Sequence, residues 1–196
     1  RMDILEYFEL SNNGDVTGPV AYAPDGTSSY FSTLIEELLV VQQLPFPFTL
    51  HEVSVFEKFV KGSITNAHDD FQSNNLGLPL MSERMKQLIE TELLGTEKIK
   101  WIEVRVQGES NEFIYYVPYF YQKQETLDTD RTIFIPNTDL IIKPYYDKEL
   151  VSQYAMFHGY GPRWQIPVRV YVNSCIKRKL VDSKMTGLNF IKARVD

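Results

Sequence analysis

The chain is poor in cysteine, and its first quarter is poor in positive charge. The single cysteine, Cys175, excludes an intrachain disulfide framework and any metal site built on several thiolates. One isolated thiol suits a reducing compartment and reads as a small buried hydrophobe. No apolar run approaches the roughly 18 residues of a membrane helix, and no leader pattern opens the chain. Arg1 reads as an addition in front of a native Met2. These features lead us to expect a cytoplasmic protein with no membrane contact. Metalloprotease, phosphate-loop, dinucleotide-binding and nucleophile-elbow motifs are all missing. The three histidines, His51, His68 and His158, show no metal-ligand spacing.

What is present is a globular composition. The 196 residues are 43% hydrophobic and 13% aromatic, with a formal net charge of -6. A chain of this size buries enough surface for one sizeable core without a staple. One domain over residues 2–196 is expected, with a sub-lobe boundary at 62–80 if two lobes exist. The charge is uneven. Residues 1–98 carry 6 basic and 15 acidic side chains, net -9, and residues 99–196 carry 14 and 11, net +3. Up to Glu57 the sole basic residue is Arg1, against nine acidic ones. A surface built from that segment repels nucleic acid and attracts a basic protein. The short run Lys177-Arg178-Lys179 has no interleaved aromatics and reads as a solvated face, so direct nucleic-acid binding is not expected.

Periodicity places the elements. Residues 3–10 read as a short strand or an irregular apolar segment. Turn signals follow at Asn12-Asn13-Gly14, Gly18-Pro19 and Pro24-Asp25-Gly26. Phe31, Leu34, Ile35, Leu38, Leu39 and Val41 predict a helix from about Ser28 to Gln43, ended by Pro45 and Pro47. Residues 48–60 fit either partial alternation through Val53 and Val55 or a helical turn at Phe56-Phe59-Val60. Gly62–Pro79 is polar and turn-rich, either a working loop or locally ordered. Ser82 is a good N-cap for a second helix with Gly95 as C-cap. Strong alternation over Ile99–Gln107 and a second strand over Phe113–Tyr121, broken by Pro118, predict a hairpin. Shorter strands are expected at Ile133–Ile135, Leu140–Ile142, Ile166–Val172 and Leu188–Val195, with a helix or turn over 174–182. The fold class this implies is α+β, with N-terminal helices and a mainly antiparallel sheet in the second half.

Candidate chemistry is sparse. His68-Asp69-Asp70 is the strongest polar cluster and reads as a surface turn. Gly159-Tyr160-Gly161-Pro162-Arg163 reads as a tight turn. Tyr115 to Tyr121 packs five aromatics into seven residues, which a strand must divide between two faces. Those rings serve either the core or a partner, because tyrosine offers contact area with a polar tip. The residues singled out for partner contact are Glu36, Glu37, Asp69, Asp70, Tyr115, Tyr119 and Tyr121. Arg84, close behind the Ser82 cap, is misplaced for the helix dipole and reads as an anchor to an acidic residue elsewhere.

Three short segments carry a family resemblance. They are Ser82-Glu83-Arg84 opening a helix, the tyrosine-rich strand leading to Leu127-Asp128, and Thr186-Gly187 followed by Phe190. Together they resemble a bacterial family of immunity proteins from polymorphic toxin systems. The resemblance spans about residues 75–195 and implies structural roles for Ser82, Arg84, Asp128, Thr186, Gly187 and Phe190. Pro118 departs from an ordinary ladder position. The resemblance implies an inhibitor, not an enzyme. It would bind a cognate toxin domain, expected to be basic, and it brings no catalytic residues, metal or cofactor. The rival readings are a small enzyme assembled from His51, His68 or His158 with Asp69 or Asp70, and a scaffold module with an apolar self-association surface.

Overall fold

The computed structural model describes residues 5–12, 18–53 and 60–196. The expectations touching Asp3, Asn13-Gly14, Val55, Phe56 and Phe59 fall outside the described residues. In chain order the first elements are β1 (Tyr7–Asn12), β2 (Val20–Tyr22), a 3-10 turn at Thr27–Ser29, α1 (Phe31–Val41) and β3 (Phe48–Val53). Next come β4 (Lys61–Ile64), β5 (Phe71–Gln72), β6 (Leu80–Ser82) and α2 (Glu83–Glu90). The hairpin strands β7 (Ile99–Gln107) and β8 (Glu112–Phe120) follow, then β9 (Ile133–Phe134) and β10 (Ile141–Lys143). The chain closes with α3 (Lys148–Val151), β11 (Met156–His158), β12 (Val170–Asn173), α4 (Ser174–Asp182) and β13 (Leu188–Lys192).

The fold is α+β, but the expected segregation of helices and strands is wrong. Strands precede α1, and α3 and α4 lie among the later strands, so the two element types interleave throughout. The physical reason is length. β2, β5 and β6 hold two or three residues each, too few for a period-two pattern to register.

Two sheets organise the described chain. The larger has the path β2-β3-β7-β8-β6-β5, with β4 also paired to β3. Its β3–β7 pair is parallel, with Phe48 opposite Val106, and its other described pairs are antiparallel. The smaller sheet has the order β11-β12-β1-β13 and is antiparallel. The first strand therefore lies between two of the last three. The ribbon β9-β10 joins neither sheet.

Helix and strand periodicities meet in the cores. Phe31, Ile35 and Leu38 on α1 pack with Phe48, Leu50, Val104 and Val106 of β3 and β7. Met85 and Ile89 on α2 meet Ile176 and Leu180 on α4, over Val170 and Val172 of β12. A third cluster is aromatic, with Tyr7, Tyr146, Phe157 and Tyr171 around Val151. In it the Phe157 and Tyr171 rings stack at 4.9 Å. Each fully buried apolar side chain contributes about 1.5–3 kcal/mol against exposure.

The β7–β8 hairpin resolves the tyrosine-rich strand. Tyr115, Val117 and Tyr119 enter the α1 core. On the other face, the Lys86 ammonium lies 4.8 Å from the Tyr116 ring centroid and covers it. Pro118 sits opposite Trp101 in unbroken register. Two residues on, the Phe120 N–H points away from β7 and donates to the Gln165 carbonyl at 2.8 Å. By alternation, the N–H that Pro118 lacks would also point away from β7, so the hairpin loses no ladder bond.

Candidate functional site

The motif residues at the two ends of the resemblance converge on one carboxylate. Ser82, whose hydroxyl caps α2, donates that hydroxyl to Asp70 Oδ1 at 2.7 Å and accepts from the Met85 N–H at 3.3 Å. Arg84 forks onto the same carboxylate, Nε to Oδ1 at 2.8 Å and Nη2 to Oδ2 at 2.5 Å. Its guanidinium also reaches the Ser183 and Lys184 carbonyls at the end of α4. The Thr186 N–H donates to Asp70 Oδ2 at 2.9 Å, and the Asp70 N–H donates to Thr186 Oγ1 at 3.0 Å. Burial alone would raise the pKa of Asp70, but the bonds from Arg84, Thr186 and Ser82 overrule it and hold the value at about 2.

Gly187 completes this junction. Its φ of +75° is left-handed, and a Cβ there would come within 2.5 Å of the Phe71 carbonyl oxygen. The Tyr115 hydroxyl donates to the Asp69 carbonyl at 2.6 Å from the opposite side. The junction thus ties the 69–71 segment, the start of α2 and the approach to β13 together. It is a structural lock with no free coordination.

The other motif residues also support structure. Asp128 Oδ1 accepts the N–H groups of Asp130 and Arg131, shaping the turn that precedes β9. Phe190 is half-buried against the second core, with the Lys177 ammonium 5.6 Å from its ring centroid.

The histidines do not assemble a reaction centre. His51 meets the Gly62 carbonyl, and His68 meets the Asn66 carbonyl and lies over the Phe113 ring. His158 is fully buried. Its Nε2 accepts from the Gln124 N–H at 2.8 Å, so its Nδ1 carries the proton donated to the Gly159 carbonyl at 3.0 Å. Burial pushes its pKa down to about 4, keeping it neutral. Among the described residues no histidine bonds Asp69 or Asp70, and no group of three His, Cys, Asp or Glu is placed to hold a metal ion.

Of the residues singled out for partner contact, Glu36 and Glu37 lie exposed on α1, and Tyr121 is exposed just past β8. Asp69 is half-buried, where burial raises its carboxyl pKa against a hydrogen bond from Thr186. Asp70, Tyr115 and Tyr119 are buried. Tyr119 nevertheless lies close enough to Glu36 that, after burial, this carboxylate also raises the phenol's pKa. Cys175, expected inside, is exposed, because α4 turns Ile176 and Leu180 inward and leaves their neighbour outside.

A groove of about 570 Å³ opens beside the smaller sheet. One wall is the loop Gly159–Trp164, another is Pro167–Arg169, and Ile141 and Pro144 contribute from the ribbon side. The Tyr160 hydroxyl in its lining donates to the Gln124 carbonyl and accepts from the Thr126 N–H, and the neutral His158 packs against Tyr160 and Trp164.

The sequence as a whole matches the Immunity protein family (Imm11) over residues 9–195. The chain belongs to this family. No curated protein matches it. As an Imm11 protein it neutralises a cognate toxin domain by direct contact and is not an enzyme. The match reaches back into β1, which lies between β12 and β13, and so extends beyond the resemblance over about residues 75–195. Two features of this Imm11 chain escaped sequence reading. Asp70 gave no local sign of its partners, since Thr186 is 116 residues away. The ribbon and groove did leave one sign. Leu140-Ile141-Ile142 is an unbroken apolar run in a short strand, and alternation forces part of it outward.

Proposed function

We propose that the toxin domain neutralised by this Imm11 protein presents a basic surface, which docks on the acidic outer face of α1 in the cytoplasm. One observation carries this reading. Residues 18–53 contain no lysine or arginine, and within them Glu36 and Glu37 stand exposed beside the uncovered Val40 and Val41. Among the described residues neither glutamate is in an ion pair, so both keep their field for a partner.

The physical consequences are kinetic first. Complementary charge steers the encounter and raises the association rate, while buried apolar contacts set how long the complex lasts. A surface of this sign also repels nucleic-acid phosphates, so nucleic acid would not occupy it in the toxin's place. The test is association with the toxin domain encoded by the neighbouring gene, followed at low and high salt. The E36K/E37K double variant is expected to associate at least tenfold more slowly at low salt, with the difference closing at high salt. Equal rates for the variant and the parent would remove the basic-partner reading. No binding by the parent would remove this partner altogether.

A further inference from the structure

The groove and the β9-β10 ribbon share a wall and share a deficit: neither is finished by the chain itself. Ile133, Ile135, Leu140 and Ile142 are exposed on a ribbon of two short strands, the last two to 58% and 59%. Across the groove, Val168 is 61% exposed. Scattered exposed aliphatics are ordinary, but the ribbon that carries four of these also lends Ile141 to the groove wall. The polar side of the groove is equally incomplete. Arg163 is half-buried, donates from Nη2 to the Leu76 carbonyl at 3.1 Å and lies 5.1 Å from the Phe31 ring centroid. Burial pushes its pKa below the usual arginine range. Among the described residues no carboxylate lines the groove, and no carboxylate pairs with Arg163. Arg169, on the far wall, already has a carboxylate partner in Glu9 at 3.2 Å.

We propose that this groove and ribbon form a second docking surface, which takes an extended segment of the toxin domain carrying a carboxylate between apolar side chains. The carboxylate would fork onto Arg163, the geometry in which arginine is strongest. The apolar flanks would cover the ribbon and Val168, with Tyr160 and Trp164 as the aromatic anchors that dominate binding energy at such surfaces. Continuity with the acidic face supports the assignment. Phe31, which Arg163 overlies, is the first residue of α1, the helix that carries Glu36 and Glu37. The partner then meets negative charge on α1 and positive charge in the groove, an arrangement that fixes its orientation.

The inference rests on toxin neutralisation but not on the toxin being basic. The test uses the full chain and the toxin domain of the neighbouring gene. The L140D/I142D and V168E variants change exposed residues, and thermal melting checks that each is folded. Each is expected to bind the toxin at least tenfold more weakly with melting unchanged. A photo-crosslinking residue at position 142 or 168 is expected to capture the toxin domain, and one at Val181, on the outer side of α4, is not. Wild-type binding by the variants, with no crosslink from 142 or 168, overturns the groove while leaving the α1 reading intact. If the parent chain self-associates and L140D/I142D abolishes that without weakening toxin binding, the surface belongs to a second copy and the proposal falls. Failure of the parent to bind overturns both readings.

Discussion

Asp70 and Arg163 are both charged and both drawn in from solvent, and they differ in what meets them. Asp70 receives a forked guanidinium, a hydroxyl and a backbone N–H, so every lone pair it buries is answered. Arg163 receives one carbonyl and an aromatic face, with open space beyond. A satisfied buried charge fixes its own surroundings. One whose remaining N–H groups stay open to solvent can exchange that water for a partner's carboxylate. Under the proposed docking, the two regions separate what holds this immunity protein together from what it offers to a toxin.

The comparison breaks most sharply at Asp70. Asp70→Ala leaves Arg84, Ser82 and the Thr186 N–H without their acceptor, and we expect a loss of about 3 kcal/mol in urea unfolding. Arg84→Ala costs less, about 1–2 kcal/mol, because its side chain is 53% exposed and water replaces part of the pair. Equal small losses at both positions would show that the junction is not a lock.

Acid should separate the two regions in order. His158, beneath the groove, has its pKa lowered from 6.5 to about 4, so the unfolded chain binds its proton first. Its contribution is complete above pH 6.5 and is lost as pH falls toward 4, by about 3 kcal/mol in total. Asp70, lowered from 3.8 to about 2, stabilises fully above its unfolded value and loses that contribution only between about pH 4 and pH 2. Unfolding free energies measured across pH should therefore fall in two windows. His158→Gln flattens the upper window alone, and Asp70→Asn the lower alone. If His158→Gln leaves the slope between pH 6.5 and 4 unchanged, burial does not hold this histidine neutral.

How much of this was legible in sequence follows from the range of each signal. Nine residues of alternation placed β7 at Ile99–Gln107, and the Ser82 cap placed the start of α2, because both signals are local. Gly95 misled about that helix's end. The helix stops at Glu90, and Gly95 takes its positive φ in the loop beyond. β5 and β6 were invisible because two or three residues carry no period. The site divided in the same way. Ser82, Arg84 and Thr186 were recognisable as motif residues, but the carboxylate joining them was not, since a loop aspartate looks solvated until the chain returns. The groove is assembled from several separated segments, and the one that stood out in sequence, Gly159-Tyr160-Gly161-Pro162-Arg163, read only as a tight turn.

Gly187 tests the lock by geometry rather than charge. Gly187→Ala adds one methyl group at a left-handed position, against the Phe71 carbonyl and the Asp69 side chain. We expect a loss of about 2 kcal/mol, less than removal of Asp70, because the polar partners remain and only their alignment suffers. A loss below about 0.5 kcal/mol would mean that the 69–71 segment yields easily and that alignment is not what the glycine secures.

The smallest effect on stability belongs to the side proposed to face the partner, and there smallness is itself the prediction. Glu36→Gln with Glu37→Gln removes two exposed charges that lie in no ion pair among the described residues, so the unfolding free energy should stay within about 0.5 kcal/mol. Toxin association should nevertheless slow and lose part of its salt dependence, since steering acts on the encounter and not on the fold. A substantial loss of stability would show that α1 uses these carboxylates internally. The contrast would then collapse, because the acidic face and the Asp70 junction would both be serving the fold.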